Sequence, residues 1–508
     1  MKKVKHVILC IGILAAVSLH AQTPTQPQDR DTELKNTIRS IVSDPALKNA
    51  VTGICAMTGD GRTIVEWNAG RALVPASNMK LISTGAAMHM MGCDYRFCTD
   101  IAYDGEIIDG VLHGNLHITG GGDPTLASKD SIATDIDEVF ALWEAAIKSK
   151  GITRIEGHII GDGRYFEGMA EEPTWQLSDA GTYYGTGTTG LMFYENMLSF
   201  MAAPGAAEGD PVSLAQDFPE TPWVDVRMKC STGKPKTGDK LYMYASDLAP
   251  VAEIRGTFGV DKAPKRVDFS NKFPEYTCAY HFCKWLEDRG IACSNGAADH
   301  KLATEWKDDF FKERDSVVNI ATTMSPQLSK IAFSTNHQSN NLYAETLLRQ
   351  LGKTMTGSAC YDSCRVALHN VLKGIGAEVP EGLNLQDGSG LSRQNLVSAE
   401  YFCRFLLKMM ESPCFEEYVE SLPSPGGKGT LHYNMSRYPQ ETRSRIKAKS
   451  GSMNGIRCYS GYIIPGEGTR KETIVFSIML NNCTSPTWKT RPLLDRAMGA
   501  LAKYNQTL

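Results

Sequence analysis

Leu73-Val74-Pro75-Ala76-Ser77-Asn78-Met79-Lys80 opens the segment on which the fold turns. After the proline, Met79, Leu81, Ile82, Ala86 and Met90 recur at helical spacing until Gly92 ends the pattern. Ser77 then falls in the first turn of a helix with Lys80 three residues on, so both side chains share one face. By itself, a serine after Pro-Ala reads as an N-cap. Two further strings in chain order change that reading: Ser339-Asn340-Asn341 and Lys449-Ser450-Gly451. Together the three supply a hydroxyl nucleophile, an amine to activate it, a second hydroxyl with an amide, and a second amine. That set suits acyl transfer through a serine.

Each string is too short to stand alone, and the chain holds a rival for each. Ser444 to Lys447 repeats the first spacing without a helix after it. Ser334-Thr335-Asn336, inside a continuing helical pattern, and Ser452-Met453-Asn454 repeat the second. Lys236-Thr237-Gly238 matches the third literally, but within a Gly/Pro/Lys stretch, Ser231 to Lys240, that reads as an exposed loop. Lys449-Ser450-Gly451 instead follows a strand pattern and precedes two more, while Ser339 lies between the helical patterns Leu328 to Phe333 and Leu342 to Leu351. Setting therefore selects Ser77, Lys80, Ser339, Asn341 and Lys449.

Ala50 to Met57 and Arg62 to Trp67 read as strands around the turn Gly59-Asp60-Gly61. Ile446 to Ser450, Tyr459 to Ile464 and Thr473 to Leu480 read as three more, and helices with Leu34, Ile38, Ile41 and Val42, and with Leu493, Leu494, Ala497 and Leu501, flank the two ends. One sheet built from both chain ends is expected, with the middle inserted. The 262 residues from Ser77 to Ser339 far exceed one connection. Within them, Ile107 to Ile118, Arg154 to Ile160 and Leu241 to Tyr244 carry strand patterns.

Lys2, Lys3 and Lys5, the apolar run Val7 to Leu19 and Ala21-Gln22 form a signal-peptide pattern over residues 1–21, too short to span a bilayer. Export across the inner membrane to the periplasm is expected, with no transmembrane anchor. Loss of those three lysines would carry the formal net charge from −4 to −7, which disfavours nucleic acid as a partner. A chain of 508 residues implies two or three domains. Thirteen of the 14 cysteines lie beyond residue 21, so at least one has no intrachain partner. Cys93/Cys98 and Cys360/Cys364 are close enough in sequence to be disulfides; otherwise most cysteines are small buried apolar residues. There is no zinc-finger spacing, no H-E-x-x-H and no P-loop, so no metal or cofactor is expected.

The chain resembles the D-alanyl-D-alanine carboxypeptidase/endopeptidases, the class C low-molecular-mass penicillin-binding proteins. The resemblance runs through Gly120 to Leu126, Gly161-Asp162, Ser339 to Glu345, Asp387-Gly388-Ser389-Gly390-Leu391-Ser392-Arg393, Gly429-Thr430-Leu431 and Ser460-Gly461-Tyr462. It implies an α/β fold: a penicillin-binding transpeptidase-like domain, with an antiparallel five-stranded sheet flanked by helices and a helical subdomain, interrupted by a large, mainly β insertion. The expected borders are 30–95 and 305–508 for the acyl-transfer domain, 96–180 and 265–304 for one insertion, and 181–264 for a second. It implies that Ser77 is acylated, Lys80 is its base, Ser339 relays a proton, and Asn341 holds the substrate backbone. Backbone N–H groups of Ser77 and Ser452 would form the oxyanion hole, and Lys449, Ser450 and Gly451 would meet the terminal carboxylate of a peptidoglycan stem peptide. Asp162 and Arg393 would grip a zwitterionic diaminopimelate end, with Met453 on its aliphatic stem. The alternative for Asp162 is a turn residue in Gly-Asp-Gly. β-Lactam antibiotics would acylate the same serine. Ser450 stands where the family more often has threonine, and Gly163-Arg164 replaces its small hydroxyl pattern. The rival functions are a serine β-lactamase and a non-catalytic peptidoglycan-binding protein. The closest string to a lactamase deacylation glutamate, Glu195-Asn196-Met197-Leu198-Ser199, lies deep in the insertion.

Overall fold

Along Val51–Thr58 both alternating faces are apolar, which demands cover on both sides of its sheet. A computed structural model, described for residues 27–302, 316–466 and 468–508, shows that cover. Five antiparallel strands run in the order Ile446–Met453, Ile456–Ile463, Ile474–Asn481, Val51–Thr58 and Thr63–Trp67, so the sheet does join both chain ends. Ile54, Ala56, Phe476, Ile478 and Tyr459 point to one core, shared with Leu34, Ile38 and Ile41 of the helix Pro27–Val42 and Leu494, Ala497 and Leu501 of the helix Thr487–Asn505. Cys55, Met57, Val475, Met479 and Cys458 point the other way, to a core shared with the helix Met79–Met91. That helix is buried from Met79 to Met88 and mostly apolar, with Lys80, Ser83 and Thr84 forming its one polar face. Leu328–Gln338, Asn341–Thr356, Tyr361–Gly374 and Ala399–Met409 complete the helical layer around it.

The insertion is mainly β. A five-stranded sheet orders Ala297–Asp299, Ile159–Asp162, Leu116–Gly120, Cys98–Tyr103 and Val318–Met324, and packs with the helices Ile136–Ser149 and Pro274–Glu287 in a separate core. Two three-stranded sheets share another. Strand pairing crosses two of the expected borders and makes part of one expected loop a strand. Lys265–Ser270 pairs with Met197–Ala203 and so belongs with the second insertion rather than with 265–304. Val318–Met324 pairs with Cys98–Tyr103, which gives it to the first insertion rather than to 305–508. The expected loop Ser231 to Lys240 is partly strand, because Asp225–Gly233 pairs in parallel with Ala249–Gly259. In each case the partner strand is remote in sequence and leaves no local signature.

Neither expected cysteine pair is joined. Cys93, just after the central helix, is bonded to Cys414, 321 residues away, with 6.0 Å between the Cα atoms, while Cys98, Cys360 and Cys364 are free thiols. The signal-peptide pattern lies outside the described residues. No described helix is long and apolar enough to cross a membrane.

Candidate active site

Ser77 sits in a 3-10 turn, Ala76–Asn78, that feeds directly into the central helix. Ala76 adopts φ 47°, a left-handed conformation that costs a non-glycine residue about 1–2 kcal/mol. Neighbouring glycines allow the turn to be packed from two sides. A Cβ on Gly451 would lie 2.4 Å from the Pro75 carbonyl oxygen, and one on Gly390 (φ 85°) would lie 1.9 Å from that of Ala76. The third-motif strand and the Asp387–Arg393 loop thus both reach the turn through glycine. Gly390→Ala is expected to lower the thermal midpoint and to slow any reaction at Ser77, both readable on the purified variant.

Lys80 is fully buried. Its Nζ stands 3.1 Å from Ser77 Oγ, 2.6 Å from Asn341 Oδ1 and 2.7 Å from the Ser389 carbonyl oxygen. Burial pulls its pKa down to about 7, against the opposing pull of the Asp387 and Glu345 carboxylates. Two oxygens therefore take two N–H groups, and the remaining direction of the amine faces Ser77. Lys449, also fully buried, has Nζ 3.0 Å from Ser339 Oγ and donates to the Ser450 carbonyl at 2.8 Å. Burial and the Lys80 cation hold its pKa well below the usual lysine range.

Ser339 ends one helix at φ 60°, and Asn340 begins the next, its Oδ1 accepting from the Tyr343 N–H at 3.1 Å. This tight turn aims Ser339 at Lys449 and Asn341 at Lys80. From the insertion, the Tyr184 carbonyl accepts from Asn341 Nδ2 at 2.8 Å. Ser450 Oγ donates to Thr430 Oγ1 at 2.9 Å.

The Asp387–Arg393 string earns its length by satisfying buried carboxylates. Glu345 accepts the N–H groups of Gly388 and Ser389, at 3.1 and 2.7 Å. Asp387 accepts from Gly390 and Ser392 N–H, Asn395 Nδ2 and Trp175 Nε1. Burial pushes both carboxyl pKa values up, and the neighbouring Asp387 charge adds to the rise at Glu345. The network fixes the Ser389 carbonyl against Lys80. Glu345 lies four residues after Asn341 on the same helix face, so its place under the site was readable from the sequence.

A cleft of about 1050 Å³ opens over Ser77, lined also by Ser339, Asn341, Ser452, Met453 and Arg393. Its insertion wall contributes Gln176, Asp179, Tyr183, Tyr184 and Glu195, none of which the sequence reading had placed there. Asp162 does not join them. It ends the strand Ile159–Asp162, and Arg164 takes both its carboxylate oxygens, at 2.9 and 2.8 Å, while the Arg164 N–H bonds it at 3.0 Å. The expected partnership of Asp162 with Arg393 is thereby corrected, and the turn reading fits Asp162 better. Arg393 instead donates to Gln176 Oε1 at 3.4 Å; burial raises the pKa of Asp179, and Arg393 is one of the groups that partly oppose the rise. Of the rival strings, Ser452-Met453-Asn454 does line the cleft, from the end of the strand that carries Lys449. The others do not: Ser334 lies within the helix Leu328–Gln338, Lys236 in a turn at φ 66°, and Ser444 ends a five-residue helix, Gln440–Ser444, that its sequence pattern did not suggest.

A serine and a buried lysine at the head of a central helix, beside a five-stranded antiparallel sheet, fit a serine-type peptidase of the penicillin-binding fold. The chain belongs to the D-Ala-D-Ala carboxypeptidase 3 (S13) family, whose description matches residues 34–498. It is 28% identical over 474 residues to a D-alanyl-D-alanine carboxypeptidase of Actinomadura sp. (strain R39), covering 90% of this chain and 82% of that one. It is 21% identical over 416 residues to the D-alanyl-D-alanine carboxypeptidase DacB of Haemophilus influenzae, covering 81% and 82%. The fold matches the crystal structure of penicillin binding protein 4 (dacB) from Haemophilus influenzae with a TM-score of 0.77 at 19% identity, covering 92% of this chain and 99% of that chain.

Proposed function

We propose that the protein is a periplasmic serine D-alanyl-D-alanine carboxypeptidase, and also a D,D-endopeptidase, acting on peptidoglycan stem peptides after removal of an N-terminal signal peptide. The observation that carries this reading is the environment of Lys80: buried, with two acceptors for its N–H groups and Ser77 in the third direction. Neutral Lys80 takes the Ser77 proton as Oγ attacks the penultimate D-Ala carbonyl carbon. The N–H groups of Ser77 and Ser452 hold the oxyanion, and losing one such donor costs about 3 kcal/mol of transition-state stabilisation. The proton that Lys80 took from Ser77 is relayed through Ser339 to the departing amine, Lys449 and Ser450 face the terminal carboxylate, and Asn341 holds the peptide. Water then releases the acyl group from Ser77. β-Lactams enter the same path and stall at the acyl-enzyme.

Arg393 takes a side-chain carboxylate of the third stem residue bidentately. Asp179, on the cleft wall that also carries Arg393, would take the partner ammonium, and Met453 would lie on the aliphatic stem. Arg393→Ala is expected to lower kcat/KM on diaminopimelate peptides by roughly tenfold or more, and on acetylated lysine-type peptides much less. Equal losses on both would remove the specificity assignment. The overall function is tested with a labelled penicillin: a long-lived adduct on Ser77 supports it, rapid turnover points to a β-lactamase, and no adduct points to a binding scaffold.

A further inference from the structure

Tyr194, Glu195 and Asn196 have φ values of 55°, 54° and 51°, three successive left-handed residues with no glycine among them. Such residues ordinarily occur singly, so a run of three persists only where the surroundings dictate it. The surroundings here are dense. The Tyr194 N–H donates to the Leu126 carbonyl, Asn196 Nδ2 to that of Gly187, and the Phe193 N–H to Asn196 Oδ1. The turn delivers Glu195 to the cleft wall, beside Ser339 and Asn341.

There the Glu195 carboxylate closes a ring. Asn340 Nδ2 donates to Glu195 Oε2 at 2.8 Å, and Ser128 Oγ donates to Glu195 Oε1 at 2.7 Å. Ser128 Oγ in turn lies 3.0 Å from the Tyr343 hydroxyl, whose own backbone N–H donates to Asn340 Oδ1 at 3.1 Å. Two members come from the insertion and two from the helix that begins at Asn341. With Glu195 as acceptor, the Asn340 amide has one orientation, which keeps its oxygen on the helix cap. Resting on the functional reading above, we infer that Glu195 is a positioning residue: through Asn340 the insertion fixes the Ser339–Asn341 turn and so sets the approach of Ser339 to Lys449 and of Asn341 to Lys80.

The ring distinguishes shape from charge. In Glu195→Gln the amide oxygen can accept from Asn340 while its N–H₂ donates to Ser128 Oγ, whose hydroxyl then donates to Tyr343; the ring closes without a carboxylate. Glu195→Ala opens it. The experiment measures the second-order rate of Ser77 labelling by a fluorescent penicillin, the final labelling stoichiometry, and the lifetime of the adduct. Glu195→Ala is expected to label at least about tenfold more slowly while still reaching one label per chain, and Glu195→Gln to stay within about threefold of the parent. Tyr343→Phe removes one link from the opposite side of the ring and should slow labelling by about threefold. If Glu195→Ala does not fold, a parent-like rate in Tyr343→Phe overturns the inference. So does a parent-like rate in Glu195→Ala, or normal labelling by both Glu195 variants with a longer-lived adduct, which would make Glu195 a deacylation base. Absence of any adduct on the parent chain instead overturns the functional reading, and the inference with it.

Discussion

Lys80→Ala is expected to slow acylation of Ser77 by a penicillin about a thousandfold, the range associated with loss of a positioned base. The serine would keep its place, because the 3-10 turn is held by Gly390 and Gly451 rather than by the lysine side chain. The charge state of Lys80 also sets a pH profile. Its usual pKa near 10.5 has fallen to about 7, so the neutral, proton-accepting form is about half populated at neutral pH. Below pH 7 that form declines roughly tenfold per unit, and above about pH 8 it saturates. Acylation should therefore climb with rising pH through about 7 and then level. Stopped-flow labelling of the parent chain between pH 5 and 9 reads this directly. A flat profile, or a Lys80→Ala variant that labels at a near-parent rate, would take the base role away from Lys80.

The second large effect concerns stability. Arg349, fully buried on the helix Asn341–Thr356, has no carboxylate partner among the described residues. Its guanidinium donates to four backbone carbonyls: Glu167 and Thr188 at 2.6 Å, and Met169 and Ala359 at 3.1 Å. Three of those carbonyls belong to the insertion, so one side chain ties it to the helix carrying Asn341. Arg349→Met keeps much of the volume but leaves the carbonyls without donors, at a cost of about 4 kcal/mol. Differential scanning calorimetry should show the thermal midpoint lowered by on the order of 10 °C. Arg349→Lys should recover only part of this, because one ammonium cannot span the fork. An unchanged midpoint in Arg349→Met would show that water or rearranged backbone replaces the guanidinium.

How much of this was legible depends on the range of the interaction. The helix after Ser77, the strands at both ends and the turn at Ser339 were readable because each is written in local periodicity and turn chemistry. The choice of Lys449 over Lys236 was readable from neighbouring strand patterns. What the sequence concealed was pairing at a distance. Cys93 meets Cys414, Val318–Met324 meets Cys98–Tyr103, and Arg164 claims Asp162 before Arg393 can. Glu195 shows the limit most sharply. Its place in the insertion suggested remoteness, yet three left-handed residues turn it back onto the cleft. No residue preference announces such a run.

The sheet that joins the two chain ends also has a bearing on when reactivity can arise. Ser77 and Lys80 are made early, whereas Lys449 and the three strands that complete their sheet are the last elements before the final helix. Until residues 446–481 have emerged, with Ile474–Asn481 paired to Val51–Thr58 and the two strands before it paired in turn, the early serine has no second lysine beside it. Such long-range closure is slow to nucleate. A chain that stops short of residue 446 therefore lacks Lys449 and three of the five strands of the sheet, and the cleft is complete only once synthesis has passed them.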